Sequence, residues 1–295
     1  MRKALLPSSR AGAADDHRRL GTLTAALPRL LVYVALIAGA VAMVFPFAWM
    51  VSTSLTTDAQ LFATPPRLVP DPAQPDNYAR VADAFPIGRF ALNSLIVAAV
   101  STVLQIATSA MGAYAFARIR FPGRDALFLV YLATLMIPMQ VLVVPLFIEM
   151  RLIGQVNTYA GLILPGIASA FGTFLLRQYM LTLPIELEEA AVIDGASRWT
   201  VFRRIVLPLC GPALATFGIF AFMASWNAFL WPLLIASDLD MMTLPVGLAN
   251  LRGRFVTEWN LVMAGATISV IPIVIVYLAA QRYVVRGIAL SGLKG

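Results

Sequence analysis

Residues 181–212, from Leu181 to Pro212, read LTLPIELEEAAVIDGASRWTVFRRIVLPLCGP and form the long polar interruption between two strongly apolar runs. The densest acidic cluster of the chain lies here, in Glu186, Glu188, Glu189 and Asp194. Pro184 fits the first turn of a helix, with Thr182 or Leu183 in front of it. Glu186, Glu188 and Glu189 then crowd the amino-terminal end, where the helix dipole favours negative charge. Ala190, Ala191, Val192 and Ile193 continue the helix, and Gly195 after Asp194 supplies a left-handed stop. Ser197 caps a second helix. Its apolar stripe is Trp199, Phe202, Ile205 and Val206, with Arg198, Arg203 and Arg204 elsewhere, and Leu207-Pro208 ends it. The physical chemistry gives a helix, a glycine hinge and an amphipathic helix entering an apolar run. Such a pair either docks on another protein or lies under lipid headgroups as a re-entry helix.

The flanks decide the solvent. The chain has 295 residues, 60% hydrophobic and 13% charged, with a mean hydropathy of +0.81. Soluble domains are about half apolar and about a quarter charged, so most of this chain faces lipid. Six runs approach the roughly 20 apolar residues that cross a bilayer: Leu30–Ser52, Ala91–Ala117, Ala126–Ile148, Tyr159–Leu176, Pro212–Ala236 and Leu261–Gln281. Pro46, Pro138, Pro145, Pro165, Pro232 and Pro272 mark kinks or span ends. Gly112, Gly161, Gly166, Gly172, Gly218 and Gly265 allow close helix approach. The fold class is an all-α polytopic membrane protein.

Charge sets orientation and excludes chemistry. The net charge is +7, and the basic residues fall between the spans. They therefore set topology rather than bind nucleic acid, and membrane lipid is the partner they face. With the amino terminus inside, the inner segments hold 16 of the 22 basic residues and the outer loops 6, which puts both termini in the cytoplasm. Residues 1–28 form a polar cytoplasmic tail expected to lack fixed structure. The outer loop from Thr53 to Arg89 is rich in proline and reads as a stiff connection. The loop from Asp238 to Asn260 reads either as a bare connector or as a segment that touches a partner or the interface. A single Cys210 and a single His17 leave a metal almost no soft ligands, so none is expected. The only lysines are Lys3 and Lys294, and no G-x-x-x-x-G-K-[ST] loop exists, so the chain cannot cradle ATP in that way. No Asp, Glu, Lys or His falls inside the six runs, which argues against a proton-driven carrier working alone.

The 181–212 stretch also resembles the EAA loop of binding-protein-dependent ABC importer permeases. Glu189-Ala190-Ala191, three residues, Gly195, nine residues, Ile205, one residue and Leu207-Pro208 carry the spacing. Asp194, Ala196, Phe202 and Pro212 sit where that family often has them. Asn93-Ser94, GAYAFARIRFPGR (112–124), VVPLF (143–147), IGQVNTYAGLILP (153–165), Trp226-Asn227 and the tail RYVVRGIALSGLKG extend the likeness to the carbohydrate branch, the maltose-permease type.

The resemblance implies residues 29–295 as one six-helix transmembrane domain, with a cytoplasmic coupling-helix loop (181–212) between helices four and five. It implies a non-catalytic subunit in a bacterial inner membrane, with ATP and Mg on a separate ATPase dimer. A second permease subunit, often a different chain, and an extracytoplasmic solute-binding protein complete the assembly. Glu188, Glu189, Ala190, Ala191, Asp194, Gly195, Ala196, Phe202, Ile205, Leu207 and Pro208 are the implied ATPase-coupling positions. Asn93, Ser94, Gln105, Gln140, Trp226 and Asn227 could line a path for a sugar or polyol, or simply glue helices together. Import of glycerol phosphate, a stand-alone secondary transporter and a membrane-anchored scaffold or receptor are the rival readings.

Overall fold

A computed structural model of the chain describes residues 11–65, 67–254 and 258–291, with side chains in 31–65, 67–250, 258–279 and 281. The described residues form helices joined by turns, with one longer non-helical stretch between Leu61 and Asp76. Three of the six apolar runs are unbroken helices: α1 (Ala11–Ser54), the 32-residue helix Ile87–Arg118, called α3, and α13 (Trp259–Ser291). Helix α1 starts well before its apolar part, so residues 11–28 continue a helix where an unstructured tail was expected. The alanine-rich sequence extends a helix once the apolar part has nucleated it. Residues 1–10 lie outside the described residues.

The other spans are broken where proline requires it. Helices α4 (Arg124–Ala133) and α5 (Met139–Leu152) meet at 97°. Pro138 forces Ile137 into an extended conformation, which stops the first helix. Helices α6 (Tyr159–Ile163) and α7 (Ala170–Leu181) meet at 48° across Pro165, and Ser169 caps α7 by accepting from Gly172 N.

The run Pro212–Ala236 was expected as one span and is two pieces, α10 (Gly211–Trp226) and α11 (Leu230–Ile235). Pro232 occupies the first turn of α11, where its missing N–H is harmless. Its ring would clash with the carbonyl of Ala228 in a continuous helix, so the chain breaks there.

Neither the loop from Thr53 to Arg89 nor the loop from Asp238 to Asn260 is a bare connector. The first contains α2 (Asp76–Ala84), which packs on α13 and buries Asn77 and Val81. The second contains α12 (Leu244–Arg254), which buries Leu244 and Val246 and packs on α3 and α13.

Helix α3 is the axis of the fold and packs against α7, α10 and α12. At its carboxyl end Ala110, Ala113, Tyr114 and Ala117 join Leu176, Met180, Val206 and Phe217 in one buried cluster. At its amino end Phe90 and Ala98 join Val81, Trp226, Leu244 and Ala264 in another. The first contact depends on Gly172: a Cβ there would lie 2.1 Å from the Phe217 ring, so α7 and α10 can approach this closely only with glycine. Helix α1 packs mainly on α13, and every side chain from Leu31 to Ala48 is exposed.

Candidate functional site

The 181–212 stretch folds as α8 (Glu186–Ile193), a turn, and α9 (Arg198–Leu209), which meets α10 at 78°. Helix α8 starts later than a first turn at Pro184 would place it, its N-cap being Ile185 rather than Thr182 or Leu183. The Ile185 carbonyl accepts from Glu188 N and Glu189 N, and Pro184 stays outside. The three glutamates do occupy the first turn.

The stop is the expected one. Ala196 N donates to Ala191 O at 2.9 Å and Gly195 N to Val192 O at 3.0 Å, the double bond pattern of a Schellman cap. Gly195 sits at φ +84°, a conformation in which any Cβ is strained. The spacing from Glu189-Ala190-Ala191 to Gly195 is thus one helix end written in sequence.

Ser197 caps α9, its hydroxyl accepting from Thr200 N at 3.2 Å. Inside α9, Phe202–Val206 forms a π-turn in which Leu207 N reaches back to Phe202 O. Pro208 supplies the reason, because the wider turn moves the carbonyl it would strike. Phe202 and Val206 are buried, as the apolar stripe required, and Val201 joins them. Trp199 of the same stripe is 60% exposed.

The acids divide. Glu186, Glu189 and Asp194 face outward, whereas Glu188 is buried. Its Oε1 lies 2.7 Å from Arg118 Nε, with the side chains 8% and 11% exposed, as an ion pair rather than an aligned hydrogen bond. Tyr114, one turn back on α3, donates its hydroxyl to Glu188 Oε2 at 3.4 Å. Arg118 also donates from one terminal nitrogen to Met180 O and Leu183 O, both at 2.8 Å. One guanidinium therefore joins the end of α3, the end of α7 and the start of α8, satisfying carbonyls that α7 leaves open. Glu188, one of the implied ATPase-coupling positions, is thus turned inward, held by Arg118 and Tyr114 of the GAYAFARIRFPGR run, for which the resemblance implied no role.

Beside this pair lies a cleft of about 730 Å³ lined by Tyr114, Arg120, Glu189, Val192, Ile193 and Arg198, among others. Its edge is apolar and open: Ile185, Leu187, Val192 and Ile193 are 46%, 47%, 54% and 85% exposed. Ala190 is exposed, Ala191, Ala196, Ile205 and Leu207 are half-buried, and Pro208 is exposed. Cys210 is fully buried at the corner of α9 and α10, and burial pushes its thiol up to about 11, so it stays a neutral filler at ordinary pH.

The proposed path residues also divide. Asn93 is fully buried and saturated: its Oδ1 accepts from the Tyr159 hydroxyl at 2.7 Å, and its Nδ2 donates to Asp240 O and Met242 O. Ser94 Oγ accepts from Leu244 N. Trp226 is buried and donates to Ser269 O. These three hold helices and the 239–244 segment together. Gln140 and Asn227 are exposed, and Gln105 is half-buried.

The IGQVNTYAGLILP run (153–165) also acquires a meaning. Asn157, at φ +58°, accepts from Ser237 N and Asp238 N, and Thr158 caps α6 by accepting from Gly161 N. Among the described residues no three His, Cys, Asp or Glu gather to hold a metal ion.

Residues 106–290 match the family described as binding-protein-dependent transport system inner membrane component. The arabinooligosaccharides transport system permease protein AraQ of Halalkalibacterium halodurans is 38% identical over 255 residues, covering 85% of this chain and 91% of that protein. The sn-glycerol-3-phosphate transport system permease protein UgpE of Yersinia pestis is 38% identical over 268 residues, covering 88% and 95%. Among solved structures, a chain of a bacterial ABC transporter involved in import of the acidic polysaccharide alginate superposes with a TM-score of 0.75. It is 23% identical and covers 95% of this chain and 99% of that one, a likeness in fold.

Proposed function

The chain belongs to the family of binding-protein-dependent transport system inner membrane components, and we propose that it is the permease subunit of an ATP-driven carbohydrate importer. In this reading α8 is the coupling helix, on the cytoplasmic side with both termini. It docks on a separate ATPase dimer that binds ATP and Mg, a second permease subunit completes the pore, and an extracytoplasmic binding protein delivers the solute. The observation that carries the reading is the surface of α8. A short helix outside the apolar runs turns Val192 and Ile193 outward around a fixed glycine stop, and such an apolar edge beside acids calls for a protein partner. ATP then acts by binding one state of the assembly better than the other.

The relatives include a permease named for an oligosaccharide and one named for glycerol phosphate. Sugar import is favoured because no Lys or Arg stands within the six apolar runs to meet a phosphate. The test is reconstitution of the chain with its ATPase, partner permease and binding protein in liposomes, after thermal-shift screening of the binding protein against sugars and glycerol 3-phosphate. Solute-dependent ATP turnover and uptake of a sugar are expected. Selective stabilisation by glycerol 3-phosphate would replace the carbohydrate reading, and ATP turnover by the purified chain alone would overturn its non-catalytic role.

A further inference from the structure

We infer that Arg118 is a positioning residue that fastens the coupling helix to α3, and that α3 carries the motion of α8 to the 239–244 segment. The inference rests on the importer reading above and adds the route by which its two ends communicate. Four observations meet in it. Helix α3 is continuous over Ile87–Arg118 with no proline, so it spans about 48 Å as one piece. At its inner end Glu188 is held by Arg118 and Tyr114 together, and Arg118 also ties down the carbonyls of Met180 and Leu183. Helix α8 therefore cannot shift without moving α3 or breaking a buried ion pair. At its other end Arg89 and Asn93 donate to Asp240 O, Asn93 donates to Met242 O, and Ser94 accepts from Leu244 N. The 239–244 segment is gripped by three side chains of α3 as firmly as α8 is gripped by two. Both grips lie on one rigid element, which is the physical requirement for a displacement at one end to be felt at the other.

The experiment uses the full transporter with its partner subunits in liposomes. Leu239 is 44% exposed and the native Cys210 is fully buried, so Leu239→Cys adds one reactive thiol against a silent background. In that chain the rate of maleimide labelling is expected to change on adding ATP. Glu188→Gln, which keeps the shape and removes the charge, should lose that change and lower solute-stimulated over basal ATP turnover about tenfold, within the range of ordinary allosteric coupling. The conservative exchange Glu188→Asp, which keeps the charge, should retain part of both. Undiminished stimulation and labelling response in Glu188→Gln would overturn the proposal, as would a Glu188→Asp chain that assembles but loses both as fully as Glu188→Gln. A wild-type assembly with no solute-stimulated turnover would instead overturn the importer reading, and this inference with it.

Discussion

The two ends of α3 solve the same problem with different chemistry. At the amino end the buried joints are neutral, with the charged Arg89 only at the exposed rim: Asn93 makes three hydrogen bonds and Ser94 accepts a fourth. Beside it Asn77 donates to Ser54 O and Thr56 O. At the carboxyl end a single charge pair, Arg118 with Glu188, does the joining, next to an open apolar edge. Neutral bonds buried in full fix one arrangement, and each that breaks costs only about 1 kcal/mol, so the joint weakens stepwise. A buried charge pair is unforgiving, because separating it strands a charge away from water. The contrast assigns a graded connection to the first end and an all-or-none connection to the second.

Four experiments test that contrast, from the largest effect down. Arg118→Ala should destabilise the protein by about 3 kcal/mol, since Glu188 is left buried and unpaired, as read by thermal unfolding in detergent. Asn93→Ala should lower stability by about 2 kcal/mol, three hydrogen bonds at about 0.7 kcal/mol each, while leaving basal ATP turnover intact. A larger loss from Asn93→Ala than from Arg118→Ala would break the comparison. Gly195→Val should strain the positive-φ stop by about 1–2 kcal/mol and abolish solute-stimulated ATP turnover, with membrane insertion normal. Retained stimulation would remove Gly195 from the coupling segment. Cys210 should react with maleimide only after denaturation, and ready labelling of the folded protein would show that the α9–α10 corner opens.

The all-helical fold and the helix, stop and helix of 181–212 were legible because each rests on local chemistry. Apolar runs report their solvent, and Gly195 and Ser197 act within one turn of where they stand. The breaks at Ile137 and after Trp226 were half legible: the prolines were visible, but whether a proline kinks or ends a span depends on the packing around it. The division of the glutamates was not legible. Glu186, Glu188 and Glu189 look alike in sequence, and only the arrival of α3, about seventy residues earlier in the chain, selects the one that turns inward. Asn93 and Ser94 misled for the same reason. Polar residues within an apolar run look like pore lining until the backbone they bind, some 150 residues away, is in place.

Helix α1 gives the fold a different kind of freedom. Its side chains from Leu31 to Ala48 are exposed on every face, and it packs mainly on α13. Such a helix answers only to lipid or to a neighbouring chain, so selection acts on its hydrophobicity and length rather than on the identity of each residue. Exchanges among leucine, isoleucine, valine and phenylalanine should pass almost unnoticed there, while the same exchanges around Phe90 or Phe217 meet a closed jigsaw. In a library of random variants, α1 should be where substitutions accumulate and α3 where they are purged.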